Sequence, residues 1–109
     1  KFNLPKEKEE NIISERKITV RRSETDTNGH TNNARYVEWA VDDVPDDVYT
    51  NYKAEEIRVL YRKECRAGEA VTIKTYLRDD ENGLKEIITS MENDNGDVLC
   101  KLSTIWSKK

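Results

Sequence analysis

The stretch Asp26-Thr27-Asn28-Gly29-His30-Thr31-Asn32-Asn33 places a carboxylate, a carboxamide and the chain's one imidazole within five positions, directly before a helical pattern. An imidazole titrates near neutral pH, so it can take or give a proton during a reaction. A solitary histidine is more often a surface or core residue. Here Asp26, Asn28 and the adjoining helix start favour a site role. Gly29 lets the backbone turn tightly or approach a ligand closely. Amides at a helix start lack intrahelical acceptors and carry partial positive charge. A carbonyl seated against them would have its developing oxyanion stabilised, often the largest contribution in acyl transfer. Asn32 and Asn33 serve better as helix caps and loop-fixing groups than as chemistry. A second cluster, Tyr61-Arg62-Lys63-Glu64-Cys65, ends a strand pattern and holds a carboxylate beside a thiol. Alternation along a strand sends Glu64 and Cys65 to opposite faces. Counted from Ile57 and Val59, the core face carries Tyr61, Lys63 and Cys65, and the other face Arg58, Leu60, Arg62 and Glu64. A bulge at the strand end would break that parity.

The elements that must position these groups can be read from periodicity. Residues 1–13 are charged and aperiodic, a linker or entering segment, and residues 14–109 form one domain. A short strand is expected over 17–22, where Ile18 and Val20 alternate with polar residues. Tyr36, Val37, Ala40, Val41 and Val44 then recur at helical spacing, with Asn32 or Asn33 as N-cap and Pro45 as the stop. Four further strands are expected over about 55–64, 70–78, 84–92 and 97–107. Asn82-Gly83 and Asn95-Gly96 supply hairpin turns and Ala67-Gly68 a third turn. The expected order is one strand, one helix and a four-strand meander. Its apolar face carries Ile57, Val59 and Tyr61, then Val71, Ile73, Thr75 and Leu77. An antiparallel sheet wrapped around one long helix is the hot-dog arrangement, an α+β fold; a generic α+β roll is the runner-up.

Composition narrows the classes. Charged residues make up 38% of the chain against 35% hydrophobic, but the apolar residues lie in ordered runs that disordered tails lack. So small a core under so polar a surface points to self-association, as a homodimer, or to an absent neighbouring domain. The start at Lys1 rather than a methionine suggests a piece of a longer protein. A net charge of −3 argues against general nucleic-acid binding. No apolar run approaches the roughly 20 residues that span a bilayer. Cys65 and Cys100 form neither a CxxC pair nor a disulfide framework. With a single histidine, a structural zinc site is not expected, nor is any cofactor. A reducing, cytoplasmic compartment is expected.

Residues 25–39 (TDTNGHTNNARYVEW), followed by 57–65 (IRVLYRKEC), resemble the C-terminal half of the acyl-acyl carrier protein thioesterases of plants and bacteria. Acyl-CoA thioesterases of the wider hot-dog superfamily share the first pattern, and the second string narrows the choice. The resemblance covers residues 17–107 and implies the second of two tandem hot-dog repeats, with residues 1–13 as the connection. It implies release of free fatty acid from acyl carrier protein, the step that ends fatty acid synthesis. The partner is the carrier with its phosphopantetheine-linked acyl chain. By resemblance, the catalytic set is Asp26, Asn28, His30 and Glu64. Cys65 sits where a cysteine has been considered as nucleophile, but a thiol needs a base on its own side of the strand. The implied mechanism has Glu64 as base on water or attacking carboxylate, with His30 sharing the proton and Asp26 orienting His30. Asn28 and the amides from Gly29 to Thr31 would hold the thioester oxygen. Arg58, Arg62, Lys63 and Arg66, with Arg21, Arg22 and Arg35, form either a carrier-docking patch or ordinary polar strand faces. Two alternatives stand beside this: an acyl-CoA thioesterase built as a single-repeat homo-oligomer, and an isolated non-catalytic domain for acyl binding or dimerisation. A hot-dog dehydratase fits less well, because no strand histidine pairs with a helix acid.

Overall fold

The computed structural model describes residues 8–80 and 82–109, so the first seven residues of the entering segment lie outside the described residues. Five strands, β1 Ile12–Thr19, β2 Tyr52–Tyr61, β3 Ala70–Asp79, β4 Lys85–Glu92 and β5 Val98–Lys108, form one antiparallel sheet. Two helices, α1 Asn33–Asp42 and α2 Asp46–Asn51, lie between β1 and β2. The sheet order is β1-β3-β4-β5-β2. The Asn-Gly turns do join β3 to β4 and β4 to β5, with Gly83 and Gly96 at φ of 81° and 83°, a region glycine enters freely.

The expected four-strand meander is corrected here. Only β3, β4 and β5 run consecutively; β2 crosses to the far edge beside β5, and β1 takes the place next to β3. The Ala67-Gly68 turn does form, but it closes on the end of β1. Gly68 N–H donates to Val20 O at 2.9 Å, and Val20 N–H to Glu69 O at 2.9 Å. The backbone leaving β2 is likewise taken up elsewhere, with Arg62 and Lys63 N–H both donating to Leu99 O. These bonds satisfy the groups that β2–β3 pairing would otherwise have used.

Helix α1 lays Tyr36, Trp39 and Ala40 on the sheet, against Val71, Ile73, Met91, Leu102 and Cys100. Of the expected strand face, Val71, Ile73 and Thr75 are fully buried and Leu77 is half-buried. On β2 the expectation fails. Ile57 and Tyr61 are 49% and 44% exposed, and only Val59 packs on the core. An edge strand has one neighbour, so fewer side chains cover it. The helix is also shorter than the pattern suggested. It ends at Asp42, and Pro45, which lacks an N–H, caps the separate helix α2. Arg16 closes the end of α1, donating from Nε to the Asp43 carboxylate at 2.8 Å and from a terminal nitrogen to Trp39 O at 3.1 Å, a favourable place for a cation.

The first strand starts at Ile12 and ends at Thr19, earlier than the expected 17–22, so Ile12 and Ile13 belong to the sheet rather than to an entering segment. Its inward positions include Ser14 and Arg16, and Arg16 is needed at the helix end, so hydropathy does not alternate there. Residues Arg22–Glu24 instead form a 3₁₀ turn. The buried Glu24 carboxylate accepts from Arg21 N–H and from the Trp39 indole, both at 2.9 Å. Burial alone would raise its pKa. Hydrogen bonds from the Arg21 amide, the Trp39 indole and the Arg21 side chain outweigh that and hold it below the ordinary glutamate value. Glu24 therefore stabilises the fold above that ordinary value, and the contribution is lost as pH falls through its lowered pKa.

Candidate active site

Residues 25–32 fold into a tight loop built around Asp26. Its Oδ1 accepts from the backbone N–H of Asn28 at 2.9 Å and of His30 at 3.1 Å. Gly29 N–H donates to Asp26 O at 3.0 Å, and Gly29 takes the positive φ of 79° that the turn requires. Asn32 then caps α1, its Oδ1 accepting from Ala34 N–H at 2.9 Å. Asn32 is thus the N-cap, and Asn33 is the first helical residue.

The loop is pinned to the segment after β2. Thr31 N–H and Thr31 Oγ1 both donate to Cys65 O, each at 2.9 Å. A backbone bridge pairs His30 with Arg66. These contacts bring the imidazole to the carboxylate predicted to join it, with His30 Nδ1 3.0 Å from Glu64 Oε2. Glu64 and Cys65 lie beyond the end of β2, not inside it as the sequence pattern suggested. They nevertheless point apart. The Glu64 side chain is 67% exposed, whereas Cys65 is buried with its Sγ 3.0 Å from Thr31 Oγ1 and 3.3 Å from Tyr36 OH. A contact so open to water contributes about 0–1 kcal/mol even when the imidazole is charged. The scaffold, rather than the pair's own attraction, therefore sets the distance.

Beside Glu64 lies an opening of about 220 Å³ lined by Asn33, Tyr36, Tyr61, Arg62, Lys63 and Glu64. Tyr61 meets Tyr36 edge-on with ring centroids 5.8 Å apart, and its hydroxyl donates to Asn33 O at 3.3 Å. Burial and the neighbouring Cys65 thiol push the Tyr36 phenol well above its ordinary pKa, which keeps the hydroxyl protonated.

Two expected roles are corrected by this geometry. The amides of Asn28, Gly29, His30 and Thr31 already donate within the chain, so they hold the loop rather than a thioester oxygen. Two nearby donors, the first amide of α1 (Asn33 N–H) and the Asn28 carboxamide, have no hydrogen-bond partner among the described residues. Asp26 holds backbone amides and does not back the imidazole; Glu64 occupies that position on Nδ1. Asp26→Asn, which keeps an oxygen acceptor, is therefore expected to retain kcat within about tenfold. Asp26→Ala should lower it by about ten- to 100-fold as the loop loosens. Steady-state kinetics on the intact protein check this, and equal losses in both variants would return the charge of Asp26 to the chemistry.

Most of the expected basic patch is engaged. Lys63 pairs with Asp97 at 2.9 Å, Arg58 with Glu56 and Arg35 with Glu38. Arg21 pairs with Glu24, and Arg66 donates to Asn28 O at 3.4 Å. Arg62, on the rim of the opening, has no ion pair among the described residues. Sequence reasoning missed the Thr31–Cys65 contact, because nothing local marks two residues 34 positions apart as partners.

The family model for the acyl-ACP thioesterase C-terminal domain matches residues 6–108. The chain belongs to this family. As an acyl-ACP thioesterase C-terminal domain it is 35% identical, over 95 residues, to the chloroplastic dodecanoyl-acyl-carrier-protein hydrolase of Cinnamomum camphora, a match covering 84% of this chain and 24% of that protein. The 12:0-ACP thioesterase of Umbellularia californica superposes with a TM-score of 0.88 at 22% identity, over 99% of this chain and 40% of that one. A hypothetical thioesterase protein of Streptococcus pneumoniae, solved with coenzyme A, gives 0.75 at 14% identity, over 85% of this chain and 75% of that one. Both structures share the hot-dog fold. The acyl-ACP thioesterase C-terminal domain described here thus spans about a quarter of the length of its Cinnamomum relative.

Proposed function

We propose that this domain carries the hydrolytic site for fatty acyl thioesters on acyl carrier protein, releasing the free fatty acid. The observation that carries the reading is the 3.0 Å approach of His30 Nδ1 to Glu64 Oε2 beside an open cleft at the start of α1. Family membership supplies the thioester chemistry. Glu64 engages the imidazole through Oε2 and keeps Oε1 for a water molecule. It takes the water's proton, and the resulting hydroxide attacks the thioester carbon. The oxyanion is held by donors left unengaged, for which the Asn28 carboxamide and Asn33 N–H are the candidates. Collapse expels the carrier's thiolate, which takes up the proton drawn from water through the His30–Glu64 pair. Cys65 is not the nucleophile in this scheme, because its thiol is buried among Thr31 and Tyr36.

Acyl carrier protein with its phosphopantetheine arm is the proposed partner, and Arg62 is the rim cation left to meet it. The uncovered edge at β2, with Ile57 half-exposed, is where we propose that a second hot-dog unit adds, either a preceding repeat or another copy. The deciding assay offers the intact protein the same acyl chain on acyl carrier protein and on coenzyme A. Faster release of fatty acid from the carrier supports the reading. Preference for coenzyme A would replace the carrier as substrate, and no release from either would remove hydrolysis.

A further inference from the structure

The site is exposed, yet its two groups are held by a buried cluster directly beneath them. Thr31, Cys65 and Tyr36 are 5%, 1% and 2% exposed. Thr31 follows His30 in the chain, and Cys65 follows Glu64, so the spacing between Thr31 and Cys65 fixes the spacing of the pair above. Thr31 fixes it through two donors. Its N–H and its Oγ1 both reach Cys65 O at 2.9 Å, one for each lone pair of that carbonyl. Oγ1 also lies 3.0 Å from Cys65 Sγ, which Tyr36 OH approaches at 3.3 Å. The Thr31 N–H bond forms part of the backbone bridge between His30 and Arg66, and Arg66 adds a longer bond to Asn28 O at 3.4 Å.

We infer that Thr31, braced by Tyr36 through the Cys65 thiol, is a positioning residue that sets the distance between His30 and Glu64. The inference rests on the proposed hydrolysis by that pair. Small errors in placing a reacting group cost rate steeply, even when the group itself is intact. Thr31→Val keeps the side-chain shape and the backbone bond but removes the hydroxyl. Thr31→Ser restores the hydroxyl.

The experiment measures kcat and KM on acyl carrier protein substrate with the intact protein. Thr31→Val is expected to lower kcat by about ten- to 100-fold with KM within about twofold, and Thr31→Ser to recover most of the loss. In a Glu64→Gln background Thr31→Val should cause no further loss, because it acts through Glu64. A purely structural role would instead lower the folded fraction in either background and leave kcat per folded molecule unchanged. Unchanged kcat in Thr31→Val, or an undiminished loss in the Glu64→Gln background, overturns the inference. If Thr31→Val does not fold, Tyr36→Phe takes its place, with an expected drop of about three- to tenfold in kcat; a Tyr36→Phe protein as fast as the parent then overturns it. A parent protein that hydrolyses no thioester marks failure of the functional reading instead, which separates the two.

Discussion

Glu64→Gln is expected to lower kcat on acyl carrier protein substrate by about 10²–10⁴-fold, with KM changed only a few-fold. Glutamine matches glutamate in shape, so the 3.0 Å approach to the imidazole can survive the substitution. What is lost is the capacity to take a proton from water. Because the Glu64 side chain is 67% exposed, thermal unfolding should be almost unchanged. Kinetics and a melting curve on the same preparation test both halves of the statement. Turnover within about tenfold of the parent would move the base from Glu64 to the free Nε2 of His30.

His30→Ala carries the second large effect, again about 10²–10⁴-fold in kcat. Its loss removes the group through which the proton is shared and takes away the 3.0 Å contact of the Glu64 carboxylate. The informative measurement is the double variant. Groups that act as one unit do not lose activity independently, so His30→Ala combined with Glu64→Gln should be little worse than the slower single variant. A double variant whose loss equals the product of the two single losses would mean that the imidazole and the carboxylate serve separate steps. The loop should hold in all three proteins, because Asp26 binds backbone amides rather than the imidazole ring.

Much of this was legible in the sequence wherever the determinants are local. The Asn-Gly turns, the stripe of Tyr36 and Ala40, and the cap at Asn32 each follow from a few neighbouring residues, and the structure has them in place. The loop's internal bonding was also within reach. An aspartate two positions before an asparagine and three before a glycine is a recognisable turn, whose carboxylate binds the amides that follow. That signal argues against those amides as an oxyanion site. Other features depended on the fold. The place of β2 beside β5 is set by which backbone groups find partners across the sheet, and no local residue announces it. β1 was obscured because Ser14 and Arg16 fill inward positions. The meeting of His30 with Glu64 came from family resemblance, since spacing alone gives no reason for two residues 34 positions apart to touch.

The sheet order has a consequence for how the chain is made. Both margins of the sheet, β1 and β2, leave the ribosome before any of the three strands between them, and β2 waits for β5, the last to be synthesised. β1 can pair as soon as β3 emerges, but until β5 is made β2 stands with its hydrogen-bonding groups unmatched. The β2 edge therefore closes last, after β1, β3 and β4 are already able to pair. Any chain cut short before β5 is a candidate for aggregation.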